Sequence, residues 1–197
     1  MNPIIANSIT NSFTYEAYRH LVATYAQEGK TSGHTQTEAY INYTKLNESR
    51  MHRLDKTIEV LEDVKSKLAQ IPKRYIWLVL AETWCGDAAQ VLPVIHKMAE
   101  VNTNIDLKIV LRDEHEELMQ LFLTNGTQSI PKLIIIDTEK EDVIADFGPR
   151  PQGAKQLILD YKKAHGVVDE AAKIELQKWY LANKGVEIQQ EIMALLN

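Results

Sequence analysis

Cys85, within Trp84-Cys85-Gly86-Asp87-Ala88, is the one cysteine in a chain of 197 residues. One sulfur cannot close a disulfide inside the chain, so any sulfur chemistry must use an outside partner. The thiolate is the nucleophile of thiol–disulfide exchange and the species that oxidises to a sulfenic acid. A free cysteine has a pKa near ~8.5, which leaves only a few per cent thiolate at neutral pH. A helix starting at Gly86 or Asp87 would aim unsatisfied N–H groups at Cys85 and favour the anion. A carboxylate at Asp87 opposes that effect, unless it serves the helix N-terminus instead.

Other chemistries find little support. The six histidines, His20, His34, His52, His96, His115 and His165, show no metal-ligand spacing with Cys85 or with one another. Glu114, Glu116 and Glu117 cluster where a helix start would favour acids without catalysis. No metal or cofactor is implied. A net charge of -5 and the lack of a dense Lys/Arg tract argue against nonspecific nucleic-acid binding. No apolar stretch is long enough to span a bilayer, so no membrane association is expected. Met1 to Asn7 has neither a basic region nor a long apolar run, so no signal peptide is expected. With a single cysteine, the expectation is a reducing, cytoplasmic setting, in which the sequon Asn42-Tyr43-Thr44 is a chance match.

The elements that must position Cys85 can be read from periodicity. Tyr75-Ile76-Trp77-Leu78-Val79-Leu80 is a compact apolar run suited to a strand buried on both faces. A helix follows from Asp87 to about Val101, a strand over Ile105 to Leu111, and a helix over Glu114 to Leu123 stopped by Asn125-Gly126. Leu133 to Ile136 and Asp142 to Phe147 read as an antiparallel hairpin, and Gln152 to Ala164 as a helix ending at Gly166. Upstream, Thr14 to Glu28 reads as helical. So does one long segment from Thr37 to Gln70, whose Met51, Leu54, Ile58, Leu61, Val64 and Leu68 form one apolar face packed on the core. Downstream, Asp169 to Leu196 reads as helix broken around Asn183 to Gly185. The expected organisation is an N-terminal helical extension over 1–70, a core over 71–166 and a C-terminal helical tail over 167–197.

The order β-α-β-α-β-β-α with Trp84-Cys85-Gly86 at the first strand-to-helix junction resembles the thioredoxin family. Pro93 stands where thioredoxins kink this helix. Ser129-Ile130-Pro131 stands where they carry a cis-proline beside the active cysteine, and Gly148 follows the fourth strand as theirs does. The resemblance covers about Ile71 to Gly166, and the overall layout is similar to a bacterial branch of thioredoxin-like proteins. It implies an α/β fold with a mixed central sheet of about four strands. The chain departs from the family pattern at Ala88, where the second cysteine would stand, and at Asp87, where a proline is usual. The stretch Ile76 to Leu80 also lacks the buried acid that serves the second cysteine.

These departures imply monothiol chemistry. Cys85 is the expected nucleophile, forming a mixed disulfide with a thiol- or disulfide-bearing protein or a low-molecular-weight thiol, and an external thiol must resolve it. Ile130 and Pro131 are expected to hold the substrate backbone, Trp84 to shield the sulfur, and Arg150 to supply a counter-charge from the loop after Gly148. A shared iron–sulfur cluster, as in monothiol glutaredoxins, fits poorly because the residues after Cys-Gly differ. The competing expectation is a non-catalytic protein-binding module on the same fold.

Overall fold

A computed structural model describes Met1–Leu196. Strand β1, Tyr75–Ala81, is the centre of the sheet; Trp77 to Ala81 are fully buried, which explains its unbroken apolar run. It pairs in parallel with β2, Ile105–Leu111, through the crossover helix α5, Gly86–Ala99. On its other side it pairs antiparallel with β3, Lys132–Asp137, which turns back into β4, Asp142–Phe147. The sheet order is β2-β1-β3-β4, the expected mixed four-stranded arrangement flanked by helices. Phe13 makes an isolated antiparallel bridge to Ile109 on the free edge of β2.

The upstream helices are α1 (Pro3–Thr10), α2 (Tyr15–Glu28), α3 (Glu38–Thr57) and α4 (Glu62–Ala69). Between β2 and β3 lies α6 (Glu116–Leu121); after β4 come α7 (Gln152–His165), α8 (Glu170–Asn183) and α9 (Val186–Leu195). The expected apolar face of the upstream segment is buried: Met51, Leu54, Ile58, Val64 and Leu68 all join the core. Helix α3 packs on α2 and α5, α8 on α7, and α9 on α4, α5 and β4. No helix among the described residues is long and apolar enough to cross a membrane.

Three details differ from expectation. The long segment over Thr37 to Gln70 is two helices, because Ile58 turns to extended backbone (φ -75°, ψ 129°). The backbone groups freed there are met by Gln189 of α9, which accepts from the Leu61 N–H at 2.8 Å and donates to the Glu59 carbonyl at 3.0 Å. The segment after β2 opens with a 3₁₀ turn at Arg112–Glu114 before the shorter α6. Asn125 and Gly126, read as a helix stop, instead form a turn with positive φ at both residues, between the paired Thr124 and Thr127.

Candidate functional site at the start of helix α5

Cys85 ends the β1–α5 connection and caps α5. The Ala88 N–H donates to its Sγ at 3.4 Å, as an N-cap side chain would receive it. Cys85 is 7% exposed, and its thiol has an acceptor: it donates to the Ile130 carbonyl at 3.4 Å. The Ile130–Pro131 peptide is cis, which sets that carbonyl beside the sulfur. Gly148 fits against the same segment; with φ +122°, any Cβ there would collide with the Pro131 carbonyl. Ala88 is buried, so the position of the absent second sulfur is filled by a methyl group.

The loop that carries Cys85 is locked from the N-terminal side. Ser32 and Thr83 exchange two bonds, Ser32 N–H to Thr83 Oγ1 at 3.0 Å and Thr83 N–H to Ser32 Oγ at 2.8 Å. Asn47 of α3 donates to the Thr83 carbonyl at 2.9 Å. Glu82 is fully buried; it accepts from the Ser32 hydroxyl and, at 2.9 Å, from the Asp113 N–H. Ser32, in the loop before α3, and Asn47 on α3 thus tie this connection to the segment upstream of β1.

The charges near the sulfur do not favour a thiolate. Arg150, the expected counter-charge, is spent on Asp87: its Nε and Nη2 lie 2.9 and 2.7 Å from Asp87 Oδ2. Tyr180 of α8 donates to the other carboxylate oxygen at 2.9 Å. Burial first, and then the Asp87 charge, push the Cys85 thiol up to about 12 against the pull of the Ala88 and Asp87 N–H groups and Arg150.

Above the sulfur lies an open groove of about 810 Å³, bordered by Trp84, Cys85, Ile130 and Arg150 from the core, and by α3 and α8. Trp84 is half-buried rather than a free shield: it stacks on Tyr40 with ring centroids 4.5 Å apart, and the Arg112 guanidinium lies 5.1 Å over its ring. Tyr43 of α3 joins Lys173 and Glu170 of α8 across one end. Of the residues singled out from sequence, Trp84, Cys85, Ile130 and Arg150 line this groove, while Pro131, joined to Ile130 by the cis bond, does not. Sequence reasoning missed Tyr40, Arg50, Ile174 and Leu181, which line the walls, and Tyr180, which holds Asp87. Their only sequence signal is a helical stripe on α3 and another on α8, neither of which points to Cys85. No group of histidine, cysteine and acidic side chains among the described residues can hold a metal ion.

Comparison with solved structures finds a protein of unknown function from Pseudomonas aeruginosa at 17% identity and TM-score 0.57, the match covering 93% of this chain and 97% of that one. An HIV epitope-scaffold matches equally, at 17% identity and TM-score 0.57, over 93% of this chain and 98% of its own. At that identity the likeness speaks for fold alone. No curated protein gives a significant match. The family model described as thioredoxin matches residues 33–165, well over half of the chain and spanning α3, the whole sheet and α7. The chain belongs to the thioredoxin family.

Proposed function

We propose that the face carrying Cys85 is a non-catalytic binding groove, with the sulfur part of its floor. The state of that sulfur carries the reading: it is buried, its S–H donates a hydrogen bond to the Ile130 carbonyl at 3.4 Å, and burial pushes its pKa up to about 12. Burial and the Asp87 charge thus leave far less thiolate at neutral pH than the few per cent of a free cysteine. With Ala88 in place of a second sulfur, a disulfide formed on Cys85 has no exit within the chain. The groove itself is present without any such exchange.

Monothiol exchange is the second reading, and one contact favours it: the Ala88 N–H points at Sγ from the first turn of α5, which stabilises a thiolate. There the Cys85 thiolate attacks a disulfide, one partner sulfur leaves as thiolate, and an external thiol later breaks the mixed disulfide and restores Cys85. Ile130 and Pro131 would hold the partner backbone, with Trp84 and Arg150 beside it. A reducing compartment suits either reading.

Iodoacetamide alkylation of the native chain against pH separates the two. The binding reading expects reactivity to rise only well above the pH at which a free cysteine reacts, and a small-thiol mixed disulfide on Cys85 to be released no faster than from a model peptide. A pKa at or below the free value, together with accelerated release, would replace it by the exchanger. Turnover in an insulin-reduction assay at a dithiol-like rate would remove both readings.

A further inference from the structure

The groove over Cys85 has an uneven charge. Six cations line it, Arg50, Arg53, Arg112, Arg150, Lys173 and Lys178, against two carboxylates, Asp87 and Glu170. The chain as a whole is at -5, so this excess is local. Four of the cations are spent: Arg112 on Asp113, Arg150 on Asp87, Lys173 on Glu170 and Lys178 on Glu175. Arg50 and Arg53, one turn apart on α3, have no carboxylate within ion-pair distance among the described residues.

Arg50 is the more telling of the two. It is half-buried, and lost hydration lowers its pKa, yet its one side-chain hydrogen bond is to the neutral Asn47 Oδ1 at 2.9 Å. Its Nη1 lies 3.4 Å from where a Cβ on Gly86 would sit, so the guanidinium reaches the first residue of α5. The anion that acts on it, Asp87, is already paired with Arg150, so a guanidinium that has lost water lacks a carboxylate of its own, a cost which an anion entering by the groove would offset.

The rest of the groove wall defines the body attached to that anion. Leu46 on α3 and Ile174 and Leu181 on α8 line the groove and are exposed at 45, 56 and 57%. Large aliphatic groups left in water around a cationic floor call for an amphipathic partner. The ring of Trp84 is already covered by Tyr40 and Arg112, so the exposed apolar surface that the groove offers is mainly aliphatic. An extended peptide would need the backbone beside Pro131, where Ile130 is buried and its carbonyl already accepts the Cys85 thiol. A groove of about 810 Å³ is of small-ligand size.

We propose that this groove binds an aliphatic carboxylate of the fatty-acid class, its carboxylate on Arg50 with Arg53 at the rim and its chain against Leu46, Ile174 and Leu181. The assignment rests on reading the face as a binding groove and names the ligand of that groove.

Calorimetric titration of the full chain with octanoate tests it, with octanol and octylamine as the neutral and cationic comparisons. Saturable one-to-one binding of octanoate is expected, with both comparisons at least about tenfold weaker, as loss of one charge-assisted bond requires. Arg50→Gln should weaken octanoate about tenfold or more, with Arg50→Lys between it and the native chain. Because Arg50 also supports Asn47, a second variant guards against a folding defect: Ile174→Asp, at an exposed position, sets a negative charge on the aliphatic wall and should weaken octanoate without altering Arg50. Equal affinity for octanol overturns charge recognition, and unchanged binding in both variants overturns the site. Absence of saturable binding overturns the ligand class, as does a glutamate-rich peptide that binds more tightly than octanoate. If Cys85 alkylates slowly while octanoate fails to bind, this inference falls alone. If Cys85 alkylates rapidly at neutral pH and its mixed disulfide is released faster than from a model peptide, the non-catalytic reading falls whatever octanoate does.

Discussion

Two buried carboxylates flank Cys85, Glu82 three residues before it and Asp87 two after, and the fold supplies them with opposite kinds of partner. Glu82, at the exit of β1, receives only neutral donors, the Ser32 hydroxyl and the Asp113 N–H. Burial therefore holds its pKa above the ordinary glutamate value. Asp87, in the first turn of α5, receives a guanidinium on one oxygen and the Tyr180 hydroxyl on the other. Burial alone does not decide the charge of an acid; the donors that replace water do. The consequence falls on the sulfur between them. Asp87 acts on Cys85 as a negative charge, and the one cation near enough to compensate is already committed to Asp87.

Removing the guanidinium is the most severe way to break this contrast. In Arg150→Met, Asp87 would keep only Tyr180 while staying buried. We expect a loss of about 3 kcal/mol, at the low end for breaking a buried pair because Arg150 keeps part of its surface in water. Urea midpoints measure it. The double replacement Arg150→Met with Asp87→Leu should recover part of the loss, because no charge is then left unpaired although the buried Tyr180 hydroxyl loses its acceptor. If the double variant is no more stable than the single one, the pair is not an electrostatic unit and the comparison with Glu82 has no force.

Asp87→Asn sharpens the same contrast at the sulfur. It removes the charge that raises the Cys85 pKa and frees Arg150 to face the thiolate. Alkylation of Cys85 at a fixed pH near neutrality should accelerate about tenfold, corresponding to a fall of about one pKa unit. An unchanged rate would mean that burial by itself sets the thiol state and that the choice of donors at Asp87 does not reach the sulfur.

What could be read from sequence divides along similar lines. Tyr75 to Leu80 was legible as a central strand because neighbours cover both of its faces, so every position had to be apolar. The break at Ile58 was not, because Leu54, Ile58, Leu61, Val64 and Leu68 keep their three- and four-residue steps straight through it. What accommodates that break is Gln189, 128 residues from Leu61 in the chain. At the site, Trp84, Cys85, Ile130 and Arg150 follow from short motifs tied to strand ends. Arg50, Tyr40, Ile174, Leu181 and Tyr180 arrive on helices whose position is set by long-range packing, and a helical stripe does not say what it will face. The pairing of Arg150 with Asp87 was hidden for the same reason: 63 residues separate them, and sequence assigns Arg150 to the sulfur and Asp87 to the helix start.

Glu82→Gln has the smallest expected effect and tests the neutral half of the comparison. With its folded pKa raised, the native state holds the Glu82 proton more tightly than the unfolded chain does. The stability from this group is then fully present below the unfolded value, about 4.3, and is lost as pH rises through the folded value. Glutamine has the same shape and no charge, and can keep one acceptor for Ser32 or Asp113, but it turns a donor toward the other. At low pH the variant should be less stable by about 1 kcal/mol, the cost of one poorly met hydrogen bond. As pH climbs through the folded value, the native chain loses stability that the variant does not, so the gap should narrow and then reverse. Urea midpoints across the acid-to-neutral range follow this directly. A gap that stays constant would mean that Glu82 ionises as an ordinary glutamate does, and that its burial among neutral donors leaves its proton no more tightly held than in the unfolded chain.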